Sequence, residues 1–471
     1  MTTLCNATLA TLSARGVAVP TYGRIHRSCG VVHLGLGAFH RAHQALVFDA
    51  LLQAGEPHWG ICAVGMQSTR LADALAAQDG LYAVQIADQH GARWQVCGAV
   101  LATCVAGRER EQVVRAIAAD TTRWITLTVT EKGYTPALAD LLLDGLALRK
   151  SAGLPGLTIA SCDNLLNNGR RLQALCSEAA ALREDHDLAS WVSAHCAFPN
   201  SMVDRIVPAA TPAQLQAANE ALGVQDAAAL GTEAFWEWVI ESRFVDAADA
   251  DALRSVGVTV VDNVHTFEEA KLGLLNGSHS AIAYCGAVAG LSVVAECIRE
   301  PVVHRFVHDC MTDAIAPHLS RPDWPRYRDA LLERFANPQL HHKLHQIAND
   351  GSQKIPQRWV PSIVAQRRAN ASVEHLAFAA AAWLRFLSGI DERGAAYAVH
   401  DPMAATLQTL ARQHADDAVA TVQAVLTITG IWGDVLAVDA VWQARVAHWL
   451  QQIRKHGVLP AMAQLNEGPI A

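Results

Sequence analysis

The sequence predicts an α/β protein in which a parallel-sheet domain is followed by a mainly α-helical domain. Through about the first 260 residues, short apolar strand candidates alternate with helix-like segments, the pattern of a parallel sheet. Beyond about residue 265, long stretches rich in Ala, Leu, His and Arg replace the β-branched runs. We therefore expect an N-terminal domain over 1–262 and a C-terminal domain over 263–471.

The predicted elements follow from apolar runs and their boundaries. The strand candidates are 30–37, 59–65, 83–87, 94–105, 124–130, 157–161 and 258–261. Helix-like segments of the first domain are 41–52, 69–77 and 109–119, and those of the second are 373–387, 404–428 and 441–453.

Composition limits the function. The 471 residues carry a net charge of -8 with acids and bases interspersed, which argues against a nucleic-acid partner. Eleven cysteines without a CxxC pair fit free thiols in a reducing compartment, and residues 1–6 lack a signal-peptide pattern, so we expect a cytoplasmic protein. The uncharged stretch 280–295 is near the lower length limit of a membrane span, but its small residues favour a buried helix and no membrane partner.

A glycine turn follows the first strand candidate. Gly35 and Gly37 match the first two glycines of a dinucleotide fingerprint, with His40 at the third position. Backbone N–H groups of such a turn point at a pyrophosphate, so cofactor binding is slightly favoured over a plain strand-to-helix turn. The candidate cofactor residues are Gly35, Gly37, Ala38, Phe39, His40, Arg41 and, after the strand at 124–130, Glu131 and Lys132.

The sequence does not decide which residue holds the adenosine ribose. An acidic residue is usual after the second strand, but here Gly65 is followed by Met66 and Gln67. Gln67 or Ser68 can hydrogen-bond a ribose hydroxyl, whereas Arg70 can meet a 2′-phosphate. On these residues alone, NAD and NADP remain alternatives.

A second candidate lies in the lysine segment, residues 268–280. At about 100° per residue on an ideal α-helix, Glu268, Lys271, Asn276 and His279 fall within about 140° of one another and share one face. A desolvated lysine is a possible general base, and an asparagine amide can hold a carbonyl or alkoxide oxygen. The alternative is an amphipathic helix whose polar side faces water.

Metal chemistry is not expected. The histidines at 40 and 43 and at 341–345 lack cysteine or carboxylate partners at the spacing of a catalytic zinc site. No tyrosine has a lysine four residues later. A dehydrogenase with this sequence must therefore rely on Lys271 alone.

Seven motifs in order resemble the polyol-specific long-chain dehydrogenase family, which includes mannitol, arabinitol and hexuronate enzymes. They are HLGLGAFHRAHQ, LTVTEKGY, SCDN, FPNSMVDRIVP, WVIE, EEAKLGLLNGSHS and DGSQKIPQR. The resemblance implies a Rossmann-type first domain, a helical second domain and metal-independent hydride transfer with NAD, NADP not being excluded. Its implied partners are a sugar acid or polyol, in a monomer or small homo-oligomer.

The resemblance also implies residue roles. Lys271 is the general acid/base, Asn164 and Asn276 surround the reacting oxygen, and Glu268 couples the lysine to solvent. His279 and Asp204 belong to the substrate site.

Residues 346–358 and 383–391 resemble the fructuronate-reducing branch of the family. Lys354 and Arg358 can pair with a hexuronate carboxylate, a task suited to arginine. The alternative for Arg358 is a cap on a surface helix. The rival functions are a polyol dehydrogenase and, from another class, an inactive nucleotide-binding regulator.

Overall fold

The computed structural model describes residues 2–24, 27–88, 91–338 and 342–467. The chain forms two compact units, Met1–His265 and Thr266–Ala471. The predicted boundary falls three residues earlier, after Asp262.

The first unit mixes strands and helices. Its strands are β1 (Cys29–Leu34), β2 (Gly60–Gly65), β3 (Tyr82–Asp88), β4 (Gly91–Cys97), β5 (Val100–Val105), β6 (Trp124–Leu127), β7 (Thr158–Ser161), β8 (Ser201–Asp204), β9 (Leu230–Glu233), β10 (Glu237–Glu241) and β11 (Thr259–Val261). Its helices are α1 (Leu9–Ala14), α2 (Ala38–Ala42), α3 (Gln44–Gln53), α4 (Arg70–Ala77), α5 (Ala106–Ala118), α6 (Pro136–Ser151), α7 (Asn168–Leu182), α8 (His186–His195), α9 (Pro212–Leu222) and α10 (Asp249–Ser255).

A five-stranded sheet organises this unit, with strand order β5-β2-β1-β6-β7. All four of its strand pairings are parallel, as the alternation of strands and helices predicted. One face packs on α3 through Phe48 and Leu51, and the other packs on α5 and α6 through Ile117 and Leu142. Because both faces are covered, β1, β2, β6 and β7 are almost continuously buried.

Two smaller sheets were only partly predicted. They have the orders β4-β3-β9 and β11-β10-β8, and each contains one antiparallel pair. The single strand expected over 94–105 is two strands, β4 and β5, which belong to different sheets and are separated by Gly98 and Ala99. The strand expected at 258–261 belongs to a small sheet, not the parallel one. Strands β8, β9 and β10 were missed because they are four or five residues long and carry acidic side chains.

The second unit is helical, as predicted. Its α-helices are α11 (His265–Ala270), α12 (Ser278–Val288), α13 (Val294–Arg299), α14 (Pro301–Asp309), α15 (Trp324–Ala336), α16 (Leu344–Ala348), α17 (Gly351–Arg358), α18 (Val360–Arg368), α19 (Glu374–Phe386), α20 (Ala404–Gln413), α21 (Ala418–Leu426), α22 (Thr429–Ala437), α23 (Ala440–His456) and α24 (Val458–Glu467). Two stretches, Lys271–Gly277 and Cys310–Ile315, are π-helical.

Helix α12 lies at the centre of this unit. All eleven of its residues are buried, and it packs against α19 and α16. The expectation of a buried helix in the uncharged stretch is therefore confirmed. Among the described residues, no single helix combines the length and apolarity needed to cross a bilayer, and the one helix pair that passes together, α21 with α22, is bent by 105°.

Close packing of α12 predicts a cost for added volume. A Cβ at Gly286 would lie 2.4 Å from Cys297 Sγ and 2.7 Å from Leu344 Cδ1, whereas one at Gly430 in α22 meets nothing within 4 Å. We expect Gly286→Ala to lower the free energy of unfolding by about 1–3 kcal/mol. Gly430→Ala, the matched control, should be neutral or stabilising in the same urea titration. Equal effects of the two substitutions would contradict the packing described for α12.

Candidate functional site

The glycine turn, residues 35–37, joins β1 to α2. Gly35 has a φ of +104°, and a Cβ there would lie 2.2 Å from the Thr128 carbonyl oxygen, so this position requires glycine. The Gly35 and Leu36 amides donate to the Val64 carbonyl at 2.9 and 3.0 Å, and the Thr128 hydroxyl donates to the Gly35 carbonyl at 2.8 Å. Both neighbouring strands thus fix the turn.

Open space lies beside this turn. Gly37 has an ordinary φ of −105°, and a Cβ there would have only Gly35 O, at 3.7 Å, within reach. The adjoining cavity has a volume of about 340 Å³ and is lined by Gly35, Leu36, Gly37, Gly65, Met66, Ser68, Leu71, Thr128 and Val129. It lies at the carboxyl ends of β1, β2 and β6, where open parallel sheets bind their ligands. Three of its nine lining residues are glycines, which suits the close approach of a dinucleotide.

His40 occupies the place of the third glycine but does not line that cavity. Its ring is fully buried and stacks on His33 of β1, with 3.3 Å between ring centroids and 10° between ring planes. His33 is itself held by the hydroxyls of Thr126 and Thr128, at 2.8 and 2.9 Å. Neither ring nitrogen of His40 has a hydrogen-bond partner among the described residues. The side chain is therefore a packing element between β1 and α2.

Burial keeps both stacked rings neutral. It lowers the pKa of His33 to about 3. It also lowers the pKa of His40 well below its ordinary value. The neighbouring His33, Arg41 and His43 lower this pKa further, and the adjacent Gln44 side chain, although not within hydrogen-bond geometry, opposes the shift. Two neutral imidazoles can stack this closely, whereas two cations cannot.

The other predicted cofactor residues differ in exposure. Arg41 is buried, and its guanidinium donates to the Ala228 carbonyl and, at 3.3 Å, to the Gly37 carbonyl. Arg41 therefore supports the glycine turn from the protein interior. Ala38 and Phe39 are half-buried, whereas Glu131 and Lys132 are exposed in a 3₁₀ turn after β6.

Asp163, which lies in the SCDN motif but had no predicted role, ties two strand ends together. Its carboxylate accepts from the Thr130 amide at 2.7 Å and the Val129 amide at 3.2 Å, and Thr130 has a φ of +64°. Burial raises the pKa of Asp163, and these two hydrogen bonds oppose that shift. The next residue, Asn164, is exposed, whereas Asp204 at the end of β8 is buried.

The lysine segment is not one α-helix, so that expectation was wrong. Helix α11 ends at Ala270, and the backbone is π-helical over Lys271–Gly277 before α12 begins. The angular positions assumed for a regular α-helix therefore do not apply to this stretch. The four residues are nevertheless all shielded from solvent. Glu268, Lys271 and His279 are 5, 8 and 7 % exposed, and Asn276 is half-buried. Single π turns inside α-helices occur frequently at functional sites.

Two consecutive residues, the last of the DGSQKIPQR motif and the one after it, hold the end of this π turn. Arg358 Nη1 donates to the Asn276 carbonyl at 3.1 Å and to Ser280 Oγ at 2.9 Å. Trp359 Nε1 donates to the Gly277 carbonyl at 2.9 Å. Arg358 thus braces the lysine segment, and the alternative of a surface-helix cap was wrong.

Lys354 lies one turn before Arg358 on α17. Its ammonium donates to the Ile347 carbonyl at 3.2 Å. Burial lowers the pKa of Lys354, and the Arg358 charge lowers it further. Burial also lowers the pKa of Arg358. Two neighbouring cations that are partly removed from water form a favourable place for an anion.

Within the described ranges, no group of three or more His, Cys, Asp or Glu side chains is placed to hold a metal ion. His43 Nε2 contacts the Glu237 carbonyl oxygen at 3.0 Å. The His342 ring lies 5.1 Å from the His279 ring, and His341 falls outside the described residues.

Comparison with known proteins identifies the family. The model of the mannitol dehydrogenase Rossmann domain matches residues 29–251, and that of the mannitol dehydrogenase C-terminal domain matches residues 263–454. The chain belongs to the mannitol dehydrogenase family. The predicted resemblance and the predicted Rossmann-plus-helical architecture are therefore confirmed, and the chain is an oxidoreductase.

Relatives of this family cover nearly the whole chain. D-mannonate oxidoreductase of Escherichia coli is 36% identical, with 99% of this chain and 100% of that protein covered. Mannitol 2-dehydrogenase of Aspergillus terreus is 35% identical, with coverages of 96% and 97%.

Solved structures agree with the fold. Mannitol 2-dehydrogenase of Pseudomonas fluorescens, in a ternary complex with NAD and D-mannitol, matches at a TM-score of 0.83 and 31% identity, with 99% of this chain and 100% of that chain covered. A substrate-free D-sorbitol dehydrogenase matches at a TM-score of 0.90 and 28% identity, with coverages of 98% and 100%.

The stacked histidines predict an acid-sensitive fold. Their folded pKa values lie below the unfolded value of about 6.5, so unfolding takes up protons and stability falls as the pH is lowered below about 6.5. Each histidine contributes a slope of up to about 1.4 kcal/mol per pH unit. His40→Phe keeps a ring on His33 but cannot bind a proton, so this slope should decrease in urea titrations at several pH values. His456→Phe, at an exposed position, is the control. An unchanged slope in His40→Phe would show that His40 is not held neutral.

Proposed function

We propose that this chain is an NAD-dependent reductase of fructuronate, interconverting it with D-mannonate. The observation that carries this choice is the position of Arg358. Its Nη1 is bound to the Asn276 carbonyl, while its Nε and Nη2 make no hydrogen bond to the described residues. A free edge of guanidinium beside the lysine segment is suited to a substrate carboxylate. The full-length similarity to D-mannonate oxidoreductase supports the same choice.

NAD fits the cavity beside the glycine turn. Gly35 is fixed by two strands, and Gly37 leaves room for the pyrophosphate. Ser68 lines the cavity and can bond a ribose hydroxyl, whereas Arg70 is exposed on α4. The NAD complex of the Pseudomonas mannitol 2-dehydrogenase supports NAD as the cofactor. When bound, the nicotinamide supplies or accepts the hydride.

Lys271 is proposed to move the proton. In the direction of reduction, its ammonium gives a proton to the carbonyl oxygen of the sugar while the carbonyl carbon gains the hydride; in oxidation, the neutral amine takes that proton back. The side chain is buried, and removal from water penalises a charged ammonium relative to a neutral amine. Buried Glu268, one helical turn earlier, is assigned the return of the proton to solvent.

Amide groups are proposed to stabilise the charge on the reacting oxygen. Asn164 and Asn276 have this role, because an amide N–H gains strength as an alkoxide develops. Arg358 positions Asn276 through its carbonyl. His279, whose ring lies 4.4 Å from that of Phe335, and Asp204 are assigned to substrate hydroxyls.

A polyol dehydrogenase is the second candidate. Mannitol 2-dehydrogenases resemble the chain as closely as D-mannonate oxidoreductase does, at 34–36% against 36% identity. The chemistry of Lys271 is the same in both candidates. They differ in whether the end of the substrate near Lys354 and Arg358 is a carboxylate or a hydroxymethyl group.

Lys271→Met should lower kcat by about 10² to 10⁴ while leaving the Kd of NADH unchanged, because the lysine serves the substrate oxygen and not the dinucleotide. Steady-state kinetics and NADH fluorescence titration measure the two effects. Lys343→Met removes an exposed lysine of the same unit and should change neither. A Lys271→Met enzyme that kept more than half of the wild-type kcat would exclude Lys271 as the acid/base.

The carboxylate assignment is tested by comparing fructuronate with fructose. Lys354→Gln should lower kcat/KM for fructuronate by about 10- to 100-fold, the value of a charged hydrogen bond, and leave the slow reduction of fructose nearly unchanged. Arg358→Gln should impair both substrates, because it also releases the Asn276 carbonyl. A wild-type preference for fructose or mannitol would replace this proposal with the polyol dehydrogenase.

A further inference from the structure

A large groove of the second unit contains none of the candidate cofactor, catalytic or substrate residues, although four of its lining residues lie within 383–391. It has a volume of about 790 Å³ and lies among the end of α19, the connection from α20 to α21, and the end of α23. Its polar lining includes Arg385, Ser388, Asp416, Asp417, Gln451 and Arg454. The volume is in the range of small-molecule sites, about 300–1,000 Å³.

Two arginines line this groove without a carboxylate partner. Arg385 Nη1 donates to Ser388 Oγ at 2.6 Å and to the Ile390 carbonyl at 2.8 Å, and Arg454 Nη2 donates to Thr421 Oγ1 at 3.0 Å. Among the described residues, neither arginine forms an ion pair, and Arg454 Nη1 is buried without a hydrogen bond. Both guanidinium groups therefore keep N–H donors that no carboxylate among the described residues pairs with.

The charges around Arg454 also point to an anion. Burial lowers the pKa of Arg454, and the nearby Arg385 lowers it further. Asp416 and Asp417 oppose this shift, but Asp417 Oδ1 is occupied by the Ala420 amide at 2.9 Å, as the N-cap of α21. Exposed Lys455 adds a third cation to the lining. The lining therefore has three cations and two carboxylates, and its cations are not neutralised by direct pairing.

We propose that this groove binds a small polyhydroxylated anion, such as a sugar acid or a sugar phosphate. The anionic group lies on Arg385 and Arg454, whose planar donors suit the oxygens of a carboxylate or phosphate. The hydroxyl groups of the ligand donate to the Asp416 carboxylate and bond Ser388 and Gln451. The lining contains both cations and carboxylates, which favours this class of ligand over a simple inorganic anion. Only a ligand with an anionic group and hydroxyl donors can bind the arginines and the carboxylates together.

Isothermal titration calorimetry of the NADH-bound enzyme tests the proposal at low ionic strength. D-gluconate and glucose 6-phosphate distinguish a carboxylate from a phosphate, and neutral D-glucitol is the comparison ligand. We expect saturable binding of at least one anion. Arg454→Gln should weaken that binding by about 10- to 100-fold, the value of a charged hydrogen bond. Arg412→Gln, at an exposed position of α20, should leave it unchanged.

Lys455→Glu covers the case in which Arg454→Gln does not fold, because the Lys455 side chain is exposed and its replacement reverses one charge of the lining. It should weaken anion binding at an unchanged melting temperature. Three results overturn the proposal: no saturable anion binding, binding of D-glucitol as tight as that of the anions, or anion binding that is unchanged in both variants.

Discussion

The π turn at Lys271–Gly277 is the constraint on which the proposed chemistry depends. An α-helical backbone would present Lys271 and Asn276 at different angles, and two carbonyl groups at the end of the π turn are bound by side chains from outside the segment. Arg358 donates a hydrogen bond to the Asn276 carbonyl, and Trp359 donates one to the Gly277 carbonyl. A net hydrogen bond of this kind contributes about 0.5–1.5 kcal/mol, and about 1.5–3 kcal/mol when the donor is charged.

The glycine turn is likewise fixed by hydrogen bonds between its backbone and residues distant in sequence. Its backbone is held by Val64 on one side and Thr128 on the other, and the β1–α2 contact is filled by the stacked rings of His33 and His40. In both places, residues distant in sequence set the backbone before any ligand arrives. Such preorganisation is what electrostatic stabilisation and close cofactor approach require.

The sequence predicted those features that depend on local patterns. The apolar runs of β1, β2 and β7 and the helical second unit were found because burial on both faces of a sheet, or helix periodicity, is visible within a few residues. The short strands β8 to β10 were missed because their acidic side chains interrupt that pattern. The burial of Glu268, Lys271 and His279 agreed with the predicted face even though the helix type did not.

The π turn, the packing of His40 and the role of Arg358 depend on contacts between residues that are distant in sequence or not implied by a motif, so local patterns could not predict them. The π turn is held by Arg358 from 82 residues away, and no local pattern around Lys271 signals this. His40 was assigned to the cofactor from its position in the fingerprint, whereas its ring packs on His33. A signal was present: a histidine replaces the third glycine, and a second histidine lies in the preceding strand. The bracing role of Arg358 had no signal beyond its place in a motif.

A crystal structure of the ternary complex with NAD and D-mannonate tests the central claim most directly. We expect Lys271 Nζ and Asn276 Nδ2 to lie within hydrogen-bonding distance, about 2.6–3.2 Å, of the reacting hydroxyl. The mannonate carboxylate should lie on Lys354 and Arg358, and the π turn should be unchanged. A carboxylate bound elsewhere, or a reacting hydroxyl out of reach of Lys271, would contradict it.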